Sequence, residues 1–298
     1  MTRAGNSRQC VLVLRAAREV DGSGLGFLYY NPPIELEERC HLCLNVARLT
    51  REHVPPESAF NSSRRVWERF NPRTNGIDTE TGRLKGPQQT VMDVWQGGFY
   101  VRTLCSDCNS RTGHGSASAY VRFVQTLAEA PRLFEPRHGQ RTVRVRPDTL
   151  MIARQIAVMI LAIEGVEFAK ISNELRLFAR GEMPSAVPPF RVFGFLVPDH
   201  RAAGTIIRTH ARLGNSFNAI GGEISMFPFG FVYATQLGRG YKEKELADIT
   251  DWFSNSHILD RQNTWVNLPQ RLTVLDSMHA ALGNPRRGPQ IDTVPGKR

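Results

Sequence analysis

The sequence lacks any long apolar run. Its best stretch, Ile156 to Ile163, follows Arg154 and Gln155 and soon meets Glu164, whereas a membrane-spanning helix needs about 18 to 20 apolar residues. The apolar stretch near the start, Val11 to Leu14, is too short for a secretory signal. We therefore expect a protein with no membrane span that works in the reducing cytoplasm.

Acidic residues are also scarce. Lys and Arg number 38 against 28 for Asp and Glu, which gives a formal net charge of +10. This excess favours a polyanionic partner such as nucleic acid, although many basic proteins bind no polyanion. A length of 298 residues with 41% hydrophobic content is enough for one or two cores.

Cysteine is rare, yet four of the five cysteines stand in two CxxC pairs. The paired residues are Cys40, Cys43, Cys105 and Cys108. Four thiolates suit one tetrahedral zinc ion and leave no coordination position for water, so the expected site is structural. The alternatives are two unrelated turns or a redox-active pair. Cys10 is interpreted as a buried apolar residue, and His41, inside the first pair, as an unneeded ligand.

Turn residues and apolar periodicity indicate two regions. Residues 61–98 are turn-rich and predict an inserted loop or hairpin, and prolines near position 131 precede a boundary at about 140. The predicted regions are therefore 1–140 and 141–298. Packed turns are predicted at Gly221-Gly222-Glu223-Ile224 and at Phe227-Pro228-Phe229-Gly230. The predicted strands are 99–104, 190–197, 206–209 and 227–234, and the predicted helices are 116–130, 149–162 (with Asp148 as its cap) and 243–253.

A polar motif follows each cysteine pair. Thr50-Arg51-Glu52-His53-Val54-Pro55-Pro56 comes shortly after Cys43, and Asn109 comes directly after Cys108. At these residues the chain resembles the HNH endonucleases, also called His-Me finger or ββα-metal nucleases. The similarity is to their zinc-bearing branch, which has a CxxC pair, an acidic residue with His, then a CxxC pair followed by Asn. It covers about residues 38–125.

The resemblance implies a role for each polar residue. His53 looks like the general base that activates water, Glu52 like the acidic ligand of Mg²⁺ or Mn²⁺, and Asn109 like the last metal ligand. Histidine titrates near neutrality, as a general base must, and carboxylate and amide oxygens are hard ligands suited to these ions. The implied fold is α+β: a zinc-stapled ββα-metal (HNH) nuclease module followed by a mixed α/β accessory region.

Two features depart from the family pattern. The asparagine that usually orients the base from the strand before the second CxxC pair is not evident in Phe99 to Leu104. A backbone carbonyl or another side chain must then orient His53. The separation between His53 and Cys105 is also long for the family, and we attribute it to the turn-rich insertion.

Further cationic residues are candidates for nucleic-acid contacts. Arg111 could clamp a phosphate through two hydrogen bonds, and Arg64 and Arg65 in the insertion could follow the backbone, although solvated surface positions explain all three equally well. His114 is a candidate supplementary ligand, with a solvated histidine as the alternative. Nearby aromatic residues are interpreted as core residues in preference to base-stacking groups. They are Trp67, Trp95, Phe99 and Tyr100.

These observations predict a divalent-metal-dependent HNH endonuclease that hydrolyses phosphodiester bonds, with DNA favoured over RNA and with phage defence or restriction as a setting. The competing hypotheses are a non-catalytic zinc-dependent nucleic-acid-binding protein and an interaction scaffold whose site is inactive. Residues 141–298 carry no catalytic cluster in the sequence. Recognition, a protein partner or self-association are the roles open to them.

Overall fold

The computed structural model describes residues 8–16, 38–62, 65–70, 91–95, 98–129, 142–145, 147–197, 205–213, 216–235, 246–254 and 266–269. Arg64, the glycine-rich segment 21–26 and the tail after position 283 lie outside these ranges. The architecture within them is mixed α+β, as the sequence predicts.

Fourteen strands and five α-helices are present in the described ranges. The strands are β1 (Arg8–Ala16), β2 (Glu38–Arg39), β3 (Val46–Ala47), β4 (Leu49–His53), β5 (Arg65–Phe70), β6 (Val91–Trp95), β7 (Tyr100–Cys105), β8 (Thr142–Val145), β9 (Arg191–Leu196), β10 (Thr205–Leu213), β11 (Ser216–Met226), β12 (Phe229–Ala234), β13 (Ala247–Asp248) and β14 (Val266–Pro269). The helices are α1 (Ser106–Thr112), α2 (Ser118–Glu129), α3 (Thr149–Glu164), α4 (Val166–Ile171) and α5 (Asn173–Ala179). A π-helical turn, Gly113–Ala117, joins α1 to α2.

Eight of the described strands form one antiparallel sheet in the order β13-β9-β12-β11-β10-β1-β5-β6. Strands β10, β11 and β12 form a meander, whereas β1 comes from the start of the chain and pairs with both β10 and β5. Strands β5 and β6 pair with each other. The part of segment 61–98 that the structure describes is therefore a hairpin, one of the two forms predicted for it.

Helix α3 is buried on nearly every side. Its sequence has no glycine or proline, and its apolar residues are not confined to one stripe, which is typical of a helix enclosed by protein. The Asp148 side chain accepts a hydrogen bond from the Met151 amide, which caps the first turn as predicted. Gly165 follows the last turn with φ 95°, a conformation that favours glycine. The helix predicted over 149–162 is confirmed, with two further residues.

Two local predictions are wrong. The segment 247–253 contains β13 and a short 3₁₀ turn, Thr250–Phe253, where a helix is predicted; the Asp248 carboxylate accepts a hydrogen bond from the Thr250 amide and stabilises a turn there. The turn predicted at 227–230 is present at Phe227 and Pro228, but Gly221 and Gly222 do not form one. They lie inside β11, paired on both sides with β10 and β12, and this pairing keeps them extended.

One cluster of buried side chains includes residues from both sides of position 140. It contains Leu42, Leu49 and Leu104 from the first predicted region, and α3, Phe231 and Leu268 from the second. Helix α3 contacts both β7 and α5. The boundary at 140 stays a prediction, and the core described here is continuous across it.

Among the residues that the structure describes, no helix combines the length and the apolar character that a bilayer crossing requires.

Candidate metal centre

The four paired cysteines meet in space. Their Sγ atoms all lie within 4.8 Å of one another, although the two pairs are more than 60 residues apart in the chain. Cys43 Sγ is 3.8 Å from Cys105 Sγ. The predicted convergence of the two CxxC pairs is therefore confirmed, and the cluster could hold a metal ion such as zinc.

The first pair lies on a tight turn between β2 and β3. The Cys40 amide donates to the Asn45 carbonyl at 2.9 Å, and the Leu44 amide donates to the Cys40 carbonyl at 2.9 Å. Leu44 has φ 63°, so the chain reverses sharply just after Cys43. This reversal lets both sulfurs of the pair face one point.

The second pair lies where a strand becomes a helix. Cys105 is the last residue of β7, and Cys108 lies in the first turn of α1. The Cys105 amide donates to Cys40 Sγ at 3.4 Å, which joins the two pairs through a backbone hydrogen bond. A metal bound here would fix α1 to the turn between β2 and β3.

The electrostatics of the cluster favour a cation. A hydrogen bond from the Cys108 thiol lowers the pKa of Cys40 to about 4, whereas the same bond, together with burial, raises the pKa of Cys108 far above its usual range. Burial is the main cause that raises the pKa of Cys43. Without a cation, the Cys108 thiol stabilises negative charge on the Cys40 sulfur. A divalent ion would offset half of the charge of four thiolates, and four sulfurs complete a tetrahedral zinc shell.

His41 is directed away from the sulfur cluster. Its side chain is 9% exposed, and its Nδ1 is 2.9 Å from the Leu161 carbonyl of α3. On the other side of the turn, the buried Arg176 guanidinium of α5 donates to the Leu42 carbonyl at 2.9 Å. These two hydrogen bonds attach the first cysteine turn to the helices of the second predicted region.

The predicted site residues flank an antiparallel hairpin formed by β4 and β7. His53 pairs with Tyr100, Glu52 with Val101 and Arg51 with Arg102. Because alternate residues of a strand point to opposite faces, Arg51 and His53 share one face, with Tyr100 opposite His53. Glu52 leaves β4 on the other face.

Glu52 is a buried carboxyl group without a partner in the described part of the chain. It is 7% exposed, and no described residue forms an ion pair or side-chain hydrogen bond with it. Burial raises its pKa to about 7. A buried carboxylate in this state is suited to accept a cation or a proton.

Asn109 braces β4 from helix α1. Its Nδ2 donates to Thr50 Oγ1 at 3.0 Å and to the Arg51 carbonyl at 2.9 Å. Both amide hydrogens are thereby used, and among the described residues none donates to its Oδ1. That oxygen is available as a hard ligand. These two bonds place Asn109 against β4 immediately before Glu52, at the point where the register between β4 and β7 is irregular.

His53 is half-buried at the end of β4, with its ring in an edge contact 5.8 Å from the Tyr100 ring. By strand alternation its imidazole leaves the hairpin on the face opposite Glu52. The structure thus places Asn109 against β4 and directs the Glu52 and His53 side chains to opposite faces of the hairpin. Tyr100 is half-buried on the outer face, so its interpretation as a core residue is wrong, whereas Phe99 is 2% exposed and is a core residue as predicted.

Asn61 is a structural residue that sequence reasoning missed. Its fully buried side chain donates to the Pro55 carbonyl at 2.7 Å and the Phe99 carbonyl at 2.8 Å, and it accepts from the Phe99 amide at 2.8 Å. It therefore closes the loop after His53 onto the start of β7. In the sequence Asn61 stands at the start of the turn-rich insertion. An orienting asparagine is expected in the strand before the second CxxC pair, so Asn61 is not recognised.

Two of the remaining candidates, Arg111 and His114, lie at the surface. Arg111 is exposed, and its Nη1 is 3.5 Å from the Glu182 carboxylate. The exposed His114 Nδ1 is 2.8 Å from the Ser110 carbonyl, within the helical segment that follows Asn109. Arg65 begins β5, and Arg64 lies outside the described residues.

Comparison of the chain with protein-family models, with curated proteins and with solved structures finds no match in any of the three.

Proposed function

We propose that the chain is a divalent-metal-dependent endonuclease of the HNH type, with a structural zinc ion bound by the four cysteines. One observation carries the proposal. The cysteine cluster ties the turn before β4 to the start of α1, and from α1 the Asn109 amide bonds to β4 directly before Glu52, a buried carboxyl with no partner among the described residues. The order of two strands and a helix is also that of a ββα-metal module.

The residues of this hairpin have the chemistry that phosphodiester hydrolysis needs. Glu52 and Asn109 would hold Mg²⁺ or Mn²⁺ through hard oxygen ligands, and the bound ion would offset negative charge on the phosphate. His53 would take the proton of the attacking water, since its ordinary pKa lies near neutrality. The scissile phosphate would lie across the end of β4, where His53 and Glu52 reach it from the two faces.

In this proposal Asn61 holds the chain around His53 in position. No residue for this role is evident in the sequence of Phe99 to Leu104. Asn61 fixes the Pro55 carbonyl two residues after the imidazole and fixes the start of the strand that carries Tyr100. A base must be held within a fraction of an ångström of its working position. In the proposal Asn61 is a positioning residue that does not touch the substrate.

The second candidate function is a non-catalytic zinc-dependent nucleic-acid-binding protein. The observation that favours it is strand alternation, which directs the His53 and Glu52 side chains to opposite faces of the hairpin. In both cases we propose DNA, in preference to RNA, as the partner and the cytoplasm as the compartment, and we propose that residues 141–298 serve recognition, a protein partner or self-association.

Cleavage assays separate the two functions. Zinc-loaded protein is incubated with plasmid DNA and with RNA, with and without Mg²⁺ or Mn²⁺, beside His53→Ala and Glu52→Gln. Arg122→Ala is the matched control, because Arg122 is exposed on α2 outside the hairpin. The nuclease proposal expects metal-dependent cutting by wild type and the control, with losses of about a hundredfold or more in both site variants. Tight, salt-sensitive binding without cutting under any metal would support the second function instead.

A further inference from the structure

The outer face of the β4–β7 hairpin carries two exposed arginines beside His53. Arg51 on β4 and Arg102 on β7 are opposite each other in the strand register, and both are exposed. Neither guanidinium forms an ion pair or side-chain hydrogen bond with another residue, as judged from the part of the chain that the structure describes. Two uncompensated positive charges on one small face attract an anion.

An aromatic ring holds the Arg51 side chain in place. The Arg51 Cζ lies 4.8 Å from the centroid of the Tyr100 ring, and the same ring makes the edge contact with His53. A guanidinium over a ring face keeps its N–H groups directed outwards in its own plane, which is the geometry that grips two phosphate oxygens at once. Tyr100 thereby sets the position of Arg51 relative to His53.

The backbone of Arg51 is fixed from helix α1. The Asn109 side chain donates to the Arg51 carbonyl at 2.9 Å. Arg51 is therefore attached to α1 through its main chain and to Tyr100 through its side chain. Such double attachment lowers the conformational entropy that the long side chain loses when it binds a ligand.

We infer that Arg51, held over Tyr100, binds a backbone phosphate of the nucleic acid next to His53, with Arg102 as a weaker second contact. This inference rests on the proposed function, because it names the surface through which that function meets its substrate. The shared chemistry is a phosphodiester, so DNA and RNA are separate arms of the test. The inferred contact is to the backbone, so it would position the protein on the nucleic acid without reading its sequence.

The test measures binding apart from cutting. Full-length zinc-loaded protein is titrated into a fluorescently labelled DNA duplex, and separately into a labelled RNA of the same sequence, with Ca²⁺ in place of Mg²⁺ and at several salt concentrations. The variants are Arg51→Ala, Arg51→Lys, Arg102→Ala, Tyr100→Leu and Tyr100→Phe. Arg122→Ala removes the same charge from another exposed surface. Zinc content and thermal unfolding of each variant show that the fold is retained.

Arg51→Ala should weaken binding about tenfold and lower the slope of log Kd against log salt by about one. Arg51→Lys should keep the slope and lose about threefold in affinity, because an ammonium binds one oxygen where the guanidinium binds two. Tyr100→Leu should lose about threefold, whereas Tyr100→Phe keeps the ring and should stay within about twofold of wild type. Arg122→Ala should match wild type.

The outcomes separate this inference from the proposed function. Wild-type affinity and salt slope in Arg51→Ala, with wild type binding well, overturn the inference and leave the nuclease proposal standing. A tenfold loss in Arg51→Ala, in a protein that never cuts, supports the surface and overturns the nuclease. Wild type that binds neither nucleic acid overturns both. An equal loss in Arg122→Ala overturns the inference as well, because it reports net charge and not this face.

Discussion

Helix α3 and the β4–β7 hairpin are held in place by different forces. The helix buries fourteen of its sixteen residues, nearly all of them apolar, against its neighbours. The hairpin has a short buried stripe and depends on four sulfurs, the buried amide of Asn61 and the bond from Asn109 to Arg51. Apolar burial stabilises without regard to direction, whereas sulfur and amide contacts fix specific atoms. The atoms of the hairpin are therefore held in defined positions, as a functional site requires. The stability of the hairpin, however, depends on a few groups.

Removal of one cysteine sulfur should have the largest effect, because it should destabilise the hairpin and leave α3 nearly unchanged. Cys105→Ser should lose zinc and destabilise the hairpin by about 5 kcal/mol or more, because metal binding and local folding are coupled. Hydrogen exchange should rise in residues 49–53 and 100–112 and change little in α3. Zinc content is the second measurement.

The matched control for that change is Cys10→Ser, which replaces the one cysteine that belongs to neither pair. It should retain a full equivalent of zinc. Full zinc content in Cys105→Ser would contradict the assignment of the four sulfurs to one ion.

A substitution in the apolar core around α3 should have the opposite pattern of effects. Ile160 is fully buried in α3, and Ile160→Ala should lower the free energy of unfolding by about 4 kcal/mol through lost transfer energy and the cavity left behind. Zinc content should stay unchanged. Chemical denaturation measures the first effect. Val187, which is 83% exposed, offers the control, since Val187→Ala should change stability by no more than about 0.5 kcal/mol. Zinc loss in Ile160→Ala would show that the two regions do not differ as described.

Glu52 should make the hairpin sensitive to pH. Its folded pKa is raised to about 7 from 4.5, so the folded state holds this proton more tightly than the unfolded state. For a carboxyl group with a raised pKa, stability falls as pH rises between these two values. Relative to Glu52→Gln, zinc-loaded wild type without Mg²⁺ should therefore lose about 3 kcal/mol between pH 4 and pH 8.

Denaturation of both proteins at the two pH values measures this difference. Mg²⁺ or Mn²⁺ at pH 8 should restore stability to wild type and not to Glu52→Gln, if the carboxylate is a ligand. Equal pH profiles for the two proteins would show that Glu52 is better solvated than its burial indicates.

The smallest of these effects is expected at Asn61. Asn61→Ala should lower stability by about 2 kcal/mol, because it leaves the buried Phe99 amide and Pro55 carbonyl without this partner. Asn61→Asp keeps the acceptor for the amide and loses the donor to both carbonyls, so it should be no more stable than the alanine variant. Cleavage by either variant should fall more than zinc content. Wild-type stability in Asn61→Ala would contradict the role given to this side chain.

The cysteine site and the α3 core could be predicted from the sequence because each depends on a local pattern. CxxC spacing fixes where two sulfurs point, and an apolar stretch without glycine or proline predicts a buried helix. The position of β1 between β10 and β5 could not be predicted, because it depends on pairing between residues almost 200 positions apart. The attachment of Arg176 to the Leu42 carbonyl is equally non-local, and a lone arginine in a helix gives no sign of it.

Within the candidate site, the sequence predicted which residues gather near the hairpin and not the face each one occupies. Glu52 and His53 are adjacent in the chain, and only the pairing of β4 with β7 establishes which of them points inwards. Tyr100 could not be distinguished from Phe99, its buried neighbour, for the same reason. The role of Asn61 could not be predicted because its hydrogen bonds with Phe99 join positions 38 residues apart.

The contact between Asn61 and the start of β7 has a consequence for how the chain tolerates change. Gly98 has φ 85°, and a Cβ atom there would lie 1.7 Å from the Asn61 carbonyl oxygen. The backbones at Asn61 and Gly98, the two ends of segment 61–98, are therefore in direct contact. A segment whose ends already touch closes at little further cost in chain entropy, so a change of length between its paired strands should disturb the residues beyond its ends little. Because β5 and β6 pair within the eight-stranded sheet, this segment connects that sheet to the β4–β7 hairpin through two adjoining backbone positions, Asn61 and Gly98.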